Sequence, residues 1–144
     1  LAMTMRLFDH STLTLVDKDD FDDNSREGWT PVSGTDIQDT VAYSHPYSFT
    51  IFSSLEGITK SFTIGAVTRA YIVMHIRKSG AWEGELRIGG TIKYPDIAFE
   101  QLPSNVWIRL CFALPISATT TVLFTRLGAT SSHNIDEIWV VTDP

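Results

Sequence analysis

The sequence predicts an all-β fold, a two-sheet antiparallel jelly-roll β-sandwich, and three observations lead to it. Eight short segments rich in Val, Ile, Thr, Phe and Tyr recur along the chain. Clusters of Gly, Pro and Ser, which favour turns, separate these segments. No segment has the helical periodicity that alternating βα units require. The pattern is therefore typical of a sandwich.

Each predicted strand lies between turn residues, and the strands follow in chain order. The first four are Thr12–Val16, Tyr47–Phe52 after His45-Pro46, Lys60–Ile64 between Gly57 and Gly65, and Ala70–Arg77 before Ser79-Gly80. The last four are Glu85–Ile88 before Gly89-Gly90, Trp107–Ala113 between Pro103 and Pro115, Thr121–Leu127 before Gly128, and Ile135–Val141. With no linker and no internal repeat, we expect one domain over residues 1–144. Residues 1–11 are expected to form a flexible or cloning-derived arm.

Composition and charge exclude several classes of function. The 144 residues are 43% hydrophobic, which is enough for one core. A formal charge of −6 opposes binding to a phosphate backbone, so no nucleic-acid partner is expected. No apolar run is long enough to span a membrane. The single cysteine, Cys111, can form no internal disulfide and is expected to be a small buried hydrophobe.

Side-chain alternation predicts a polar and aromatic face on two strands. In Ala70–Arg77, one face carries Tyr71, Val73, His75 and Arg77, and the other carries apolar core residues. In Trp107–Ala113, the residues Trp107, Arg109 and Cys111 share a face. A β-bulge after Trp107 would instead turn its ring inward.

Glu83 and Glu85 are the pair of carboxylates that an enzyme could use. They lie on one face of a strand about 7 Å apart, and glycosidases use two carboxylates at comparable separations. The pair lacks the acid-hydrophobe-acid flanks of sandwich glycosidases, and such catalytic domains are usually longer. No Gly-x-Ser-x-Gly motif is present. We therefore expect a non-catalytic domain, with a small glycosidase or polysaccharide lyase as an alternative.

A series of short motifs resembles the jelly-roll carbohydrate-binding modules appended to glycoside hydrolases. The motifs cover residues 15–141 and are Phe21-Asp22-Asp23, Gly28-Trp29-Thr30, residues 42–49, residues 71–78, residues 107–110 and Ile135-Asp136-Glu137-Ile138. Two positions depart from that family's pattern. His45-Pro46 stands where a Gly-containing turn is usual, and Glu137 replaces a second Asp.

The resemblance implies a structural calcium ion that joins the first and last strands. The matching positions are Asp22 and Asp136, with Ser44 or its neighbours as carbonyl donors. Carboxylate and carbonyl oxygens are the ligands that calcium prefers. An EF-hand beginning at Asp20 is excluded, because Ser25 and Pro31 stand at the positions of its invariant Gly and Glu.

The resemblance also implies a carbohydrate site built from aromatic and hydrogen-bonding side chains. Trp82 is the first candidate for a stacking platform, because it follows Ser79-Gly80-Ala81 in an expected loop. The other candidates are Tyr71, His75, Arg77, Arg87, Tyr94, Trp107 and Arg109. Trp29 and Trp139 are expected to pack in the core or at a sheet edge.

These observations predict a non-catalytic module that targets a parent protein to a polysaccharide. Its partner would be a polysaccharide or cell-surface glycan, and its setting a larger extracellular protein. Two alternatives remain. One is an accessory domain of a phage tail or baseplate protein that recognises host cell-wall saccharide, and would be part of the virion. The other is a protein-interaction or adhesion domain on the same sandwich.

Overall fold

Eleven β-strands make up the regular structure of the computed structural model, which describes residues 13–38, 42–43, 47–51, 55–93, 101–128 and 130–144. The strands are β1 (Thr14–Asp19), β2 (Thr30–Val32), β3 (Asp36–Gln38), β4 (Ser48–Ile51), β5 (Gly57–Ile64), β6 (Arg69–Lys78), β7 (Gly84–Ile88), β8 (Thr91–Lys93), β9 (Ile108–Leu114), β10 (Ala118–Arg126) and β11 (His133–Asp143). None of the described residues forms a helix long and apolar enough to cross a membrane.

Two antiparallel sheets form a jelly-roll sandwich, as the sequence predicts. Sheet A has the order β3-β4-β11-β6-β9, and β1 also pairs with β11. Sheet B has the order β2-β5-β10-β7-β8. The long β11 lies at the centre of sheet A, where β6 accompanies it on one side and β4 and β1 share the other.

All eight predicted strands coincide with observed strands, although their ends differ by a few residues. The observed β1 runs on to Asp19 instead of ending at Val16, because its pairing with β11 continues there. The prediction missed β2, β3 and β8, which are three residues long each. Such segments are too short to show alternation, and Pro31 in β2 favours a turn unless the strand lies at a sheet edge, as it does here.

The core lies between the sheets and is formed by alternate residues of both. Phe21 and Phe49 make an edge-to-face contact at 4.9 Å, and Trp29 packs against Phe62 at 5.9 Å. Trp29 is 2% exposed, so its predicted core position is confirmed. Its indole Nε1 donates a hydrogen bond to Oδ2 of Asp19 at 2.8 Å.

Lys60 closes one edge of the sandwich by joining sheet B to β1 of sheet A. Its Nζ lies 2.8 Å from Asp19 Oδ2 and 2.9 Å from Asp17 Oδ2, and it donates to the carbonyl of Glu27 at 2.7 Å. Burial opposes the charged form of Lys60, but the hydrogen bonds to Asp19 and Asp17 outweigh it and raise its pKa. Part of the acidic segment 17–27 is therefore tied to sheet B by a partly buried cation.

A second polar cluster is buried at the opposite end, among Glu83, Arg126 and His133. Arg126 and His133 are 1% and 0% exposed, and the backbone N–H of Glu83 donates to His133 Nε2 at 3.3 Å. Burial, and then the charge of Arg126, lower the pKa of His133 to about 4. Glu83 also accepts hydrogen bonds from the backbone N–H groups of Thr130 and Ser131. The cluster therefore holds the turn before β11.

Candidate functional site

The outer face of sheet A gathers aromatic and cationic side chains from three strands and one loop. Its centre, which we call the aromatic face, consists of Tyr43, His75, Trp107, Arg109 and Trp139. The register explains the grouping, since His75 of β6 pairs with Arg109 of β9 on one side and with Asp136 of β11 on the other. Two residues earlier in β6, Val73 pairs with Cys111 of β9 on one side and with Trp139 of β11 on the other.

The rings of the aromatic face form a continuous series. Tyr43 stacks on His75, with 4.1 Å between ring centroids and 19° between planes. Trp107 meets Tyr43 edge to face at 5.9 Å, and Trp139 meets His75 edge to face at 5.0 Å. Tyr43 is 42% exposed, and both tryptophans are partly exposed. His75 itself is 1% exposed, so the ring surface that reaches solvent belongs to Tyr43, Trp107 and Trp139.

Hydrogen bonds fix the protonation state and position of His75. Its Nδ1 donates to the carbonyl of Glu137 at 2.7 Å, because a carbonyl oxygen can only accept. Its Nε2 therefore accepts, and the donor is Arg109 Nε at 3.0 Å. Burial lowers the pKa of His75. A neutral imidazole thus orients Arg109, whose guanidinium also lies over the Trp139 ring at 4.9 Å.

A β-bulge in β11 places Trp139 on this face. The register with β6 shifts between Asp136 and Trp139, and Glu137 has a φ of 51°. The extra residue interrupts the alternation, so that Ile138 packs in the core while Asp136, Glu137 and Trp139 lie on the outer side. The sequence predicts packing of Trp139 in the core or at a sheet edge, because large aromatic side chains usually bury most of their area. The residue lies instead on the outer face of a central strand and is partly exposed.

Most of the predicted binding residues lie on this side of sheet A. Tyr71, His75 and Arg77 of β6 are on one face, as alternation predicts, and Arg77 donates to Asn105 Oδ1 at 3.3 Å. The ring of Trp107 contacts Tyr43 on the outside, so the alternative of an inward-turned ring is wrong. Cys111 is half-buried on the same side, where burial raises the pKa of its thiol to about 11.

Three predicted binding residues do not join the aromatic face. Trp82 is partly buried and packs against Phe124 and His133, with ring centroids at 5.8 and 5.2 Å. Arg87 lies on sheet B, where it pairs with Glu85 at 2.6 Å. Tyr94 lies outside the described residues. Trp82 therefore packs against the core and is only partly exposed.

Glu83 and Glu85 are engaged separately. Burial opposes the charged form of Glu83, but hydrogen bonds from Ser131 and Thr130 outweigh it and lower its pKa. Glu85 is bound by Arg87. A general acid for glycoside hydrolysis needs a raised pKa, which is the opposite of what Glu83 has.

Two of the predicted calcium ligands lie where the chain's ends pair. In the antiparallel β1–β11 ladder, the last residue pair is Asp19 with Ile138. Asp22 comes just after Asp19 and Asp136 just before Ile138, so both aspartates lie at the same end of the ladder. Asp136 is fully buried, and its Oδ2 accepts the backbone N–H of Tyr43 at 2.8 Å. Ser44 lies outside the described residues. Within the described ranges, no group of three or more His, Cys, Asp or Glu side chains is arranged for a metal. A buried carboxylate is a ligand type that suits calcium chemically.

Solved structures with the same fold include several carbohydrate-binding modules. The CBM22-1 xylan-binding domain of Xyn10C from Paenibacillus barcinonensis is 16% identical with a TM-score of 0.63, covering 93% of this chain and 97% of that one. A family 61 module in complex with β-1,4-galactotriose is 9% identical with a TM-score of 0.66, covering 85% and 93%. A family 36 module in complex with calcium and xylotriose is 12% identical with a TM-score of 0.56, covering 87% and 99%.

No protein-family model and no curated protein matches the sequence. At these identities the structural likeness establishes the jelly-roll fold. The function has to be argued from the aromatic face itself.

Proposed function

We propose that this chain is a non-catalytic carbohydrate-binding module whose ligand site is the aromatic face. The observation that carries the proposal is the ring series Trp107–Tyr43–His75–Trp139 on the outside of sheet A. The structural neighbours named above include modules that bind xylan or β-1,4-galactotriose, which supports a polysaccharide as the partner.

The chemistry of the face suits a pyranose chain. Aromatic rings offer flat apolar surface to the C–H side of a sugar, and their burial against it contributes the hydrophobic part of binding. Arg109 sits beside this surface in a fixed orientation and can donate to hydroxyl groups. Because the rings are held by contacts with one another, little side-chain entropy is lost on binding.

The proposal is tested by affinity electrophoresis of the domain against a panel of plant, fungal and bacterial-surface polysaccharides. We expect retardation by at least one class, weakened about fivefold in Tyr43→Ala and in Trp139→Ala, since each stacking ring contributes about 1 kcal/mol. Thr121→Ala on the outer face of sheet B is the matched control and should bind normally. Trp82→Leu separates the two platform candidates, because it removes the aromatic ring and should bind normally only if Trp82 does not contact the ligand.

Binding that is unchanged in both aromatic-face variants would move the site away from this face. Retardation by no polymer at all would remove the proposed function and favour a protein-binding role. Sugar release during incubation would support the enzymatic alternative. Weak binding, in the micromolar to millimolar range, is expected for an isolated module, and the parent protein would add avidity. In that setting the module would target an extracellular, multidomain parent to its polymer.

We also propose a structural calcium ion held by Asp22 and Asp136, with a backbone carbonyl near Ser44. The calcium in the family 36 module supports the proposal. An ion that binds only the folded chain raises the free energy of unfolding by about 2.7 kcal/mol at a hundredfold excess over its Kd. We therefore expect excess chelator to lower the Tm by about 9 °C and added calcium to restore it. Asp136→Asn should abolish the response to calcium, and an unchanged melt of the unaltered chain in chelator would contradict the proposal.

A further inference from the structure

Around the aromatic face, the positively charged side chains are more exposed than the negatively charged ones. Among the described residues on this side of sheet A, the cations reach solvent: the side chains of Lys18 and Arg69 are 45% and 54% exposed, Arg109 is exposed, and Arg77 is partly exposed. On the same side of the sheet, the Asp36 carboxylate is 56% exposed, but it lies on the edge strand β3 and is paired with Arg26. The carboxylates on β11, beside the aromatic face, do not reach solvent in this way. The side chains of Glu137 and Asp143 are 11% and 16% exposed, and Asp136 is fully buried.

Each of these carboxylates is already engaged within the protein. Glu137 accepts from the indole of Trp139 at 3.1 Å and lies 3.7 Å from Lys18 Nζ. Asp143 pairs with Arg69, and Asp136 accepts the backbone N–H of Tyr43. A ligand that approaches the face therefore meets cations first, although the whole chain carries a formal charge of −6.

Arg109 is the cation best placed to recognise an anion. Its Nε edge is fixed by His75 and its plane lies over Trp139, so the guanidinium is oriented before any ligand arrives. A planar guanidinium matches the two oxygens of a carboxylate, and orientation in advance lowers the entropy cost of that pairing. The neutral state of His75 matters here, because only a neutral imidazole accepts the Arg109 hydrogen bond.

We propose that the aromatic face selects acidic polysaccharides, chains whose sugars carry uronate carboxylates. The aromatic rings contact the pyranose units, and Arg109 pairs with a carboxylate. Arg77 and Lys18 add attraction along the chain. This inference rests on the proposed function, and it names the class of polysaccharide that the same site takes.

The test compares one polymer in two charge states. Affinity electrophoresis of the domain is run with polygalacturonate, with the same polymer after reduction of its carboxyl groups, and with dextran and dextran sulfate, each at 20 and 200 mM NaCl. We expect the uronate polymer to bind at least about tenfold more tightly than its reduced form at 20 mM NaCl, with a smaller ratio at 200 mM because salt screens the attraction. Dextran sulfate should bind less well than the uronate polymer, since its anions are not planar carboxylates.

Three variants test whether Arg109 causes the preference for the uronate polymer. Arg109→Gln should bring binding of the two charge states close to parity, and Arg109→Lys should restore only part of the preference, because it keeps the charge and loses the planar fork. Arg26→Gln removes an exposed cation that pairs with Asp36 on β3, the edge of sheet A opposite β9 and Arg109, and it should change nothing. The near-ultraviolet circular dichroism of each variant shows that the fold is intact.

Four outcomes decide the matter. Equal binding of the native and reduced polymers would overturn the selectivity and leave the proposed function standing. Preference for dextran sulfate over the uronate polymer would overturn the assignment to carboxylates. A preference that survives Arg109→Gln would overturn the role of Arg109. Binding to no polymer of this set or of the broad panel would overturn both the inference and the proposed function.

Discussion

Replacing Asp19 by Asn should lower the free energy of unfolding by about 3 kcal/mol. The substitution keeps the size of the side chain but leaves the partly buried ammonium of Lys60 without its 2.8 Å ion pair to Asp19, and it weakens the acceptor of the Trp29 indole. Breaking a buried pair by removing one charge typically costs about 3–5 kcal/mol. We expect the lower end of that range, because Asp17 also contacts Lys60.

Urea denaturation at pH 7, monitored by tryptophan fluorescence, measures this loss. Asp36→Asn is the matched control, since it breaks an ion pair with Arg26 in which both side chains are more than half exposed. Exposed pairs contribute less than about 1 kcal/mol. Similar losses in the two variants would show that Lys60 does not join the sheets as an ion pair.

The stability of the fold should decline as the pH is lowered from about 6.5 to about 4, with His133 as a principal cause. In the unfolded chain a histidine has a pKa near 6.5, whereas burial and Arg126 lower the pKa of folded His133 to about 4. Between these values the unfolded state binds the proton and the folded state does not, so lower pH favours unfolding. The full contribution, about 3 kcal/mol, is present above pH 6.5 and lost once the pH has fallen to about 4.

His133→Gln isolates this contribution. An amide oxygen can still accept the backbone N–H of Glu83, but glutamine does not titrate. Urea denaturation at half-unit pH steps should therefore give the variant a shallower decline between pH 6.5 and 4, by about 3 kcal/mol in total. Its remaining slope includes His75, whose lowered pKa acts in the same direction. Identical slopes for the two proteins would mean that His133 is protonated in the folded state near its ordinary pKa.

The fold could be predicted because most of its strands show a local alternation of apolar and polar residues. Alternation in β6 identifies both faces, and the observed burial of Ile72, Met74 and Ile76 agrees with it. The strands that were missed, β2, β3 and β8, have three residues each, and only their partners in the sheet define them. Short strands are stabilised by tertiary context, which a local pattern does not contain.

The site could be predicted only in part, for a related reason. Alternation finds His75 and Arg109, which occupy regular positions on β6 and β9. It does not find Trp139, because the bulge at Glu137 changes the phase of β11, or Tyr43, which reaches the face from a loop. The adjacent acidic residues Asp136 and Glu137 inside an apolar strand are the signal that could have revealed the bulge.

Because of the bulge at Glu137, the number of residues in β11 decides which of its side chains face the core. With the bulge, Ile138 and Val140 point into the core while Trp139 points to solvent. Deleting one residue between Asp136 and Trp139 would restore strict alternation along β11. The side chains on one side of the deletion would then change faces, so that the indole of Trp139 would point into the core and the side chain of Ile138 to the outside. Turns elsewhere in a sandwich accept insertions and deletions with little cost. In this strand a one-residue change would disrupt the aromatic face and the core packing of β11 together.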